Sequence, residues 1–259
     1  METRSQLLNK PAVECVGVNK IFKGKGYETS VLDNIDLSVA NNEFVVILGP
    51  GQAGKTTLFR LIAGLHLPTS GQIYVNGKEV KGPGSHVGVV FQRYMVFPWK
   101  TVLGNVKMGP QLAGLSKKEQ RVKAMHYIEL VGLNGFENSY PYQLSGGMKQ
   151  RVGIARAYAN DPEILLMDEP FGQLDAQTRI LMEQETVRIW EKEKRTVLFV
   201  TNNIDEAIYL GDRIITMEGK LPGRIKKSYQ VDLPRPRDYM EQGFLDLRHS
   251  IISESKLTL

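Results

Sequence analysis

Gly49, Gly54, Lys55 and Thr56 stand at the spacing G-x-x-x-x-G-K-[ST], within the run Ile47-Leu-Gly-Pro-Gly-Gln-Ala-Gly-Lys-Thr-Thr57. That pattern suits binding to phosphate. Glycines let the backbone curl until successive N–H groups face one anion, and the helix that follows points its positive end at the same place. On this reading Gly49, Pro50, Gly51, Gln52, Ala53 and Gly54 form the cradle and Lys55 reaches the β- and γ-phosphates of a nucleoside triphosphate. The Thr56 hydroxyl ligates Mg²⁺, and Thr57 meets the α-phosphate. A second set of chemical groups lies at Ile164-Leu-Leu-Met-Asp-Glu169. Four apolar residues read as a strand buried on both faces that delivers two carboxylates at its end. Asp168 and Glu169 then either serve a metal and a proton transfer or cap a helix.

These groups need elements to hold them. Phe44–Leu48 reads as the strand before the phosphate loop and Leu58–Ala63 as the helix after it. Val13–Val18, Asn34–Val39 and Val87–Phe91 read as further strands, with Ile35, Leu37 and Val39 on one face, and Gln72–Lys78 as a short strand ending in the turn dipeptide Asn76-Gly77. Phe22 and Tyr27 fall between the first two strands, either as aromatics exposed to stack on a base or as packed hairpin residues. Composition changes between Thr101 and Gly135. There Ser116-x-x-Glu119 is a capping-box signal, and Val122, Met125 and Ile128 follow at helical spacing. Met95, Phe97, Trp99 and Met108 either fill a core or dock a partner helix. Asp175–Lys194 reads as a long helix, Thr196–Val200 as a strand, Ile204–Leu210 as a short helix and Arg213–Met217 as the last strand. Beyond Lys220, Pro222-Gly223 and Pro234-Arg-Pro-Arg-Asp238 predict an extended tail with one helix near Met240–Ile252.

Composition narrows the class. The 259 residues are 42% hydrophobic, enough for a sizeable core in one or two domains. The single cysteine, Cys15, excludes an intrachain disulfide. Met1–Lys10 is polar and unlike a signal peptide, and the longest apolar runs are strand-sized, so the chain is expected to be soluble by itself. The net charge of +5 is spread along the sequence and requires neither nucleic acid nor a membrane surface.

Leu144-Ser-Gly-Gly-Met-Lys-Gln-Arg151 resembles the signature motif of ATP-binding cassette (ABC) proteins. Physically it is a second anion site, in which Ser145, Gly146 and Gly147 open a helix over Met148–Ala159. The order of motifs is the family's from about Val13 to Met217. The resemblance implies an α/β ABC-type phosphate-loop ATPase, with a mixed sheet core, flanking helices, an antiparallel β portion and a helical subdomain. The cassette would span 11–220, with the helical subdomain at about 95–160, and a C-terminal extension would span 221–259. It also implies roles. Phe22 stacks on adenine. Gln92 contacts Mg²⁺ and the attacking water. Thr56 and Asp168 hold Mg²⁺, and Glu169 is the general base. Ser145, Gly146 and Gly147 close over the nucleotide of a second subunit in a head-to-tail dimer. Gly172-Gln-Leu-Asp175 crosses the interface, with Gln173 where a small residue is more usual.

More closely, Val87-Gly-Val-Val-Phe-Gln92 with Phe97-Pro-Trp99, Asp168-Glu-Pro-Phe-Gly172, Asp205–Arg213 and the Pro-Arg-Pro-Arg-Asp tail resemble the ATPases of nitrate/sulfonate/taurine-type importers. The implied partners are a second ATPase subunit, membrane permease subunits and, indirectly, a solute-binding protein, with no nucleic acid. The implied location is the cytoplasmic face of the membrane. The implied solute is a small anion such as nitrate, a sulfonate, taurine or bicarbonate. Two residues depart from the family. Gln52 replaces a glycine of the loop. Thr201-Asn202-Asn203 replaces Thr-His-Asp, so Asn202 stands where a histidine would reach the γ-phosphate. Its amide donates a hydrogen bond but carries no charge. The chain is therefore expected either to hydrolyse ATP with Asn202 in that place or to be the weakly hydrolysing half of an unequal pair.

Overall fold

A computed structural model of the chain describes residues 10–24 and 26–255. The polar stretch at the amino terminus lies outside them except for Lys10. The chain forms two compact units: one contains Ser85–Lys194, the other the residues on both sides of that segment, up to Gly84 and from Arg195 on.

The first unit begins with β1 (Val13–Gly24) and β2 (Tyr27–Val39), a long antiparallel hairpin. β3 (Phe44–Leu48) and α1 (Lys55–Ile62) follow, and β4 (Ser70–Val75) with β5 (Lys78–Glu79) completes an antiparallel sheet in the order β2-β1-β4-β5. Ile35, Leu37 and Val39 are buried on one face of β2 as the alternation predicts. Asn76 and Gly77 both take positive φ (48° and 73°), which fits the tight turn expected there. The hairpin runs further than the apolar pattern indicates. Phe22 and Tyr27 lie on its strands and not between them, because pairing continues to Gly24 opposite Tyr27.

In the second unit, β6 (Val87–Val90) is followed by α2 (Val102–Val106), α3 (Met108–Leu112), α4 (Lys117–Leu130) and α5 (Gly146–Ala159). β7 (Ile164–Asp168) pairs parallel to β6, and α6 (Ala176–Glu193) ends the unit. Ser116 and Glu119 form the capping box that starts α4, with both reciprocal bonds present. The apolar stripe of that helix is only partly the one expected, with Ile128 buried and Met125 half-buried. Val122 is exposed, while Ala124, Tyr127 and Ile128 are buried, because Tyr127 stacks on Tyr158 of α5 and fixes the helix rotation. Near the Met/aromatic cluster, Asn105 is fully buried. Its amide donates to the carbonyls of Phe97, Lys100 and Thr101 and accepts from Phe97 N–H, which pins the segment carrying Phe97 and Trp99.

The chain returns to the first unit with β8 (Thr196–Thr201), α7 (Ile204–Leu210), β9 (Arg213–Met217), β10 (Ile225–Gln230) and α8 (Gln242–Ser255). β3 lies between β8 and β9, parallel to both. All residues of β3 and β8 are buried, which explains their unbroken apolar sequences. The expected extended tail is corrected here. It contains β10, antiparallel to β9, and its terminal helix starts and ends slightly later than the predicted limits. Among the described residues, no helix is long and apolar enough to cross a membrane.

Cys15 is 2% exposed on β1, and burial first, then Asp36 and Glu14, push its thiol up to about 12. A thiolate is the reactive form, so the native chain resists thiol reagents at pH 8. A disulfide-exchange reagent should titrate no thiol in buffer and the single thiol in denaturant.

Candidate functional site

The phosphate loop leaves the carboxyl end of β3 and enters α1. Gly49 N–H donates to Thr201 O at 3.3 Å, tying the start of the loop to the end of β8. Gly54 is the left-handed residue before the helix, at φ 83°. A Cβ there would lie 2.7 Å from Leu32 Cδ2 and 3.0 Å from Val31 O, so only glycine fits. Lys55 is 4% exposed, and its ammonium donates to the carbonyls of Gly49 (2.7 Å) and Pro50 (2.9 Å), bridging the loop from inside. The first turn of α1 holds no acidic residue, and the cap makes no side-chain hydrogen bond. Its N–H groups and positive end are thus kept for an anion from outside the helix.

Gln52 lies at φ 69° in this loop. A left-handed residue with a Cβ costs about 1–2 kcal/mol. Gly51 does not absorb the bend, so the departure from glycine is carried as strain.

Leu48 is in register with Thr201, so Gly49 and Asn202 leave neighbouring parallel strands at the same edge of the sheet. Asn202 is exposed. Asn203 plays a different part, because its side-chain oxygen accepts from Asp205 N–H (2.9 Å) and Glu206 N–H (3.2 Å), capping α7. The two asparagines are identical in type; the backbone separates them. Phe22 is half-buried on β1, opposite Thr29. His66 meets it edge-on at 5.8 Å, and the Lys20 ammonium stands 4.9 Å from its ring centre. Tyr27 is more exposed.

In the second unit, β7 is buried along its length and delivers Asp168 at 8% exposure. Glu169 follows at φ 43°, half-buried, and its Oε2 accepts from Gln92 Nε2 at 3.3 Å. Neither carboxylate caps the next helix. Asp175 does, accepting from Thr178 N–H at 3.0 Å, and that backbone bond holds its carboxyl below the usual range. Ser145 caps α5 by accepting from Met148 N–H at 3.2 Å. Gly146 leaves room for the Tyr94 hydroxyl, which a Cβ would approach to 2.7 Å. Gly147 opens the helix beside Thr178.

As donors, the Thr56 hydroxyl, the Gln92 amide oxygen and the Asp168 carboxylate are hard oxygens of the kind Mg²⁺ prefers. With Gln92 Nε2 turned to Glu169, the oxygen is the end of that amide a cation would take.

Residues 32–172 match the ABC transporter family. The chain is 52% identical to an uncharacterized ABC transporter ATP-binding protein of Methanocaldococcus jannaschii, over 98% of this chain and 94% of the relative. It is 45% identical to the nitrate import ATP-binding protein NrtD of a Synechocystis species, over 86% of this chain and 83% of the relative. With the aliphatic sulfonates import ATP-binding protein SsuB of Bacillus licheniformis it shares 46% identity over 94% of both. Among solved structures, the ATP-binding cassette MJ0796, a dimer in a post-hydrolysis state bound to ADP and Pi, superposes with a TM-score of 0.74. That match has 32% identity and covers 86% of this chain and all of the cassette.

Strain at Gln52 sets a test. Gln52→Gly is expected to keep nucleotide affinity without lowering the melting temperature. Gln52→Val, a β-branched residue for which this conformation is still less accessible, is expected to lower the melting temperature.

Proposed function

Since this chain belongs to the ABC transporter family and is an ATPase, we propose that it is the motor subunit of an importer of a small anion. Nitrate and aliphatic sulfonates are the solutes named for relatives at 45% and 46% identity; taurine, itself a sulfonate, and bicarbonate are further candidates. The observation that carries the hydrolytic reading is the hydrogen bond from Gln92 to Glu169 at the end of a buried strand. It fixes the orientation of a carboxylate that is able to take a proton from water.

The residues divide the work. The N–H groups of the loop and of α1 hold the phosphates, and Lys55 passes from the loop carbonyls to the β- and γ-oxygens. Phe22 offers its ring to the base. Glu169 orients the attacking water and accepts its proton while the bond from the γ-phosphorus to the bridging oxygen breaks, giving ADP and phosphate. Asn202 donates one hydrogen bond to the γ-phosphate and transfers no proton. Thr56, Gln92 and Asp168 would hold Mg²⁺, which, when bound, neutralises charge on the phosphates.

One triphosphate does not need two helix N-termini, yet both α1 and α5 offer one. A head-to-tail pair of chains uses both, with Ser145, Gly146 and Gly147 of one copy closing over the nucleotide of the other. The dimeric cassette with ADP and Pi supports this assembly. Closure and opening would then move permease subunits, to which a solute-binding protein delivers cargo, with this chain peripheral on the cytoplasmic face. The cassette would occupy 11–220 with its helical portion at about 95–160, and 221–259 would be an extension.

A second reading, the weakly hydrolysing half of an unequal pair, is favoured by Asn202 alone. Phosphate release by the purified chain separates the two. We expect turnover that falls by about 100-fold or more in Glu169→Gln with ATP binding kept. Binding without turnover, restored by Asn202→His, would support the second reading.

A further inference from the structure

The segment from Val231 to Ser255 is built onto α7, the short helix that begins at the Asn202-Asn203 corner. α7 is seven residues long, too short to persist without tertiary support, and its last carbonyls need partners. Two tail arginines supply them. Arg237 Nη1 donates to the carbonyls of Ile208 (2.6 Å), Tyr209 (3.1 Å) and Gly211 (2.6 Å), and Arg235 Nη2 donates to Leu210 O (2.5 Å). Every carbonyl from Ile208 to Gly211 is thus taken by a cation at the negative end of the helix.

The fork is itself fixed. Arg237 Nε donates to Leu233 O (3.2 Å), and Arg237 is 5% exposed. Burial, then the nearby Arg235 charge, lowers its guanidinium to about 10. A cation is kept in this position against that cost only because the carbonyls converge on it. Tyr239 stacks on Tyr209 at 4.9 Å and 6°, with buried Phe244 behind it at 5.3 Å. At the other end of α7, Arg248 pairs with Asp205 at 2.8 Å, and the Asp205 N–H is one of the two that Asn203 caps. The tail therefore takes the carboxyl end of α7 by hydrogen bonds and reaches its first turn through an exposed ion pair.

We propose that Arg237 is a positioning residue for ATP hydrolysis: it locks α7 so that the Asn202 corner is presented at the edge of the sheet where the phosphate loop begins. The tail is then part of the hydrolytic apparatus and not a peripheral extension. The loop itself depends on β3 and α1, so nucleotide binding does not need the clamp. This inference rests on the reading of Asn202 given above.

The test is a double-mutant cycle on the full chain, with Arg237→Ala and Asn202→Ala, measuring kcat by phosphate release and Kd with a fluorescent ATP analogue. Arg237→Ala should lower kcat by about ten-fold or more, since small misplacements at a reacting centre are costly. Its Kd should change by less than about two-fold. In the Asn202→Ala background, Arg237→Ala should lower kcat little further. Arg237→Lys keeps the charge but loses the fork; it should give an intermediate kcat, and it carries the cycle if Arg237→Ala does not fold. An unchanged kcat, losses that multiply in the double variant, or equal losses of binding and turnover would overturn the clamp. Full kcat in Asn202→Ala alone would remove the Asn202 reading and, with it, the route proposed here.

Discussion

The parallel pairing of Phe44–Leu48 with Thr196–Thr201 on one side and Arg213–Met217 on the other is the constraint on which the first unit depends. The two parallel ladders set the register, with Phe44 opposite Val197 and Leu48 opposite Thr201 on one side and Leu48 opposite Thr216 on the other. That register brings Gly49 and Asn202 out at one edge and lets Gly49 N–H reach Thr201 O. The same strands anchor the tail. Asp212, just before β9, accepts from Phe44 N–H at 2.9 Å and pairs with Arg235 at 2.5 Å, so the sheet and the tail share one hydrogen-bonded node. Ligands of open α/β sheets bind outside the carboxyl ends of the strands, and these strand ends carry the candidate groups.

Among the described residues, eight non-glycine residues carry positive φ, and two of them stand where the chemistry is proposed. Gln52 and Glu169 both carry side chains in left-handed backbone, at φ 69° and 43°. Each is over-determined by its neighbours: Gln52 by the loop between Gly49 and Gly54, Glu169 by the turn closed from Gly172 N–H to Glu169 O at 3.1 Å. Such conformations persist only where the surroundings impose them, and they aim a side chain or an N–H that relaxed backbone would not.

Much of this is legible in the sequence. Phe44–Leu48 and Ile164–Asp168 declare themselves because strands buried on both faces must be apolar throughout. Ser116 and Glu119 declare a helix start because the capping box is local chemistry. Other features depend on partners distant in the chain. β10 reads Ile-Lys-Lys-Ser-Tyr-Gln and buries only Tyr229; it is a strand because β9 offers an edge, which its own pattern does not reveal. The buried stripe on α4 keeps helical spacing through Ala124, Tyr127 and Ile128 but leaves Val122 outside it, with Tyr127 stacked on Tyr158. In the sequence Arg237 is only one residue of a Pro-Arg-Pro-Arg motif; its partners lie at Ile208–Gly211, and the folded tail alone joins them. Family membership and the ATPase activity follow from the family match and from relatives that are import ATP-binding proteins; the roles of single residues rest on the geometry.

In the head-to-tail pair proposed here, the loop of one copy works with the Ser145–Gly147 helix end of another. The most direct measurement mixes two inactive variants, Lys55→Ala and Ser145→Arg, and follows phosphate release. In a head-to-tail pair, the intact loop of the second meets the intact signature of the first. The mixture is therefore predicted to recover turnover that neither variant has alone. A mixture as inactive as its parts, in dimers shown to exchange subunits by energy transfer between labelled copies, would overturn the head-to-tail pairing.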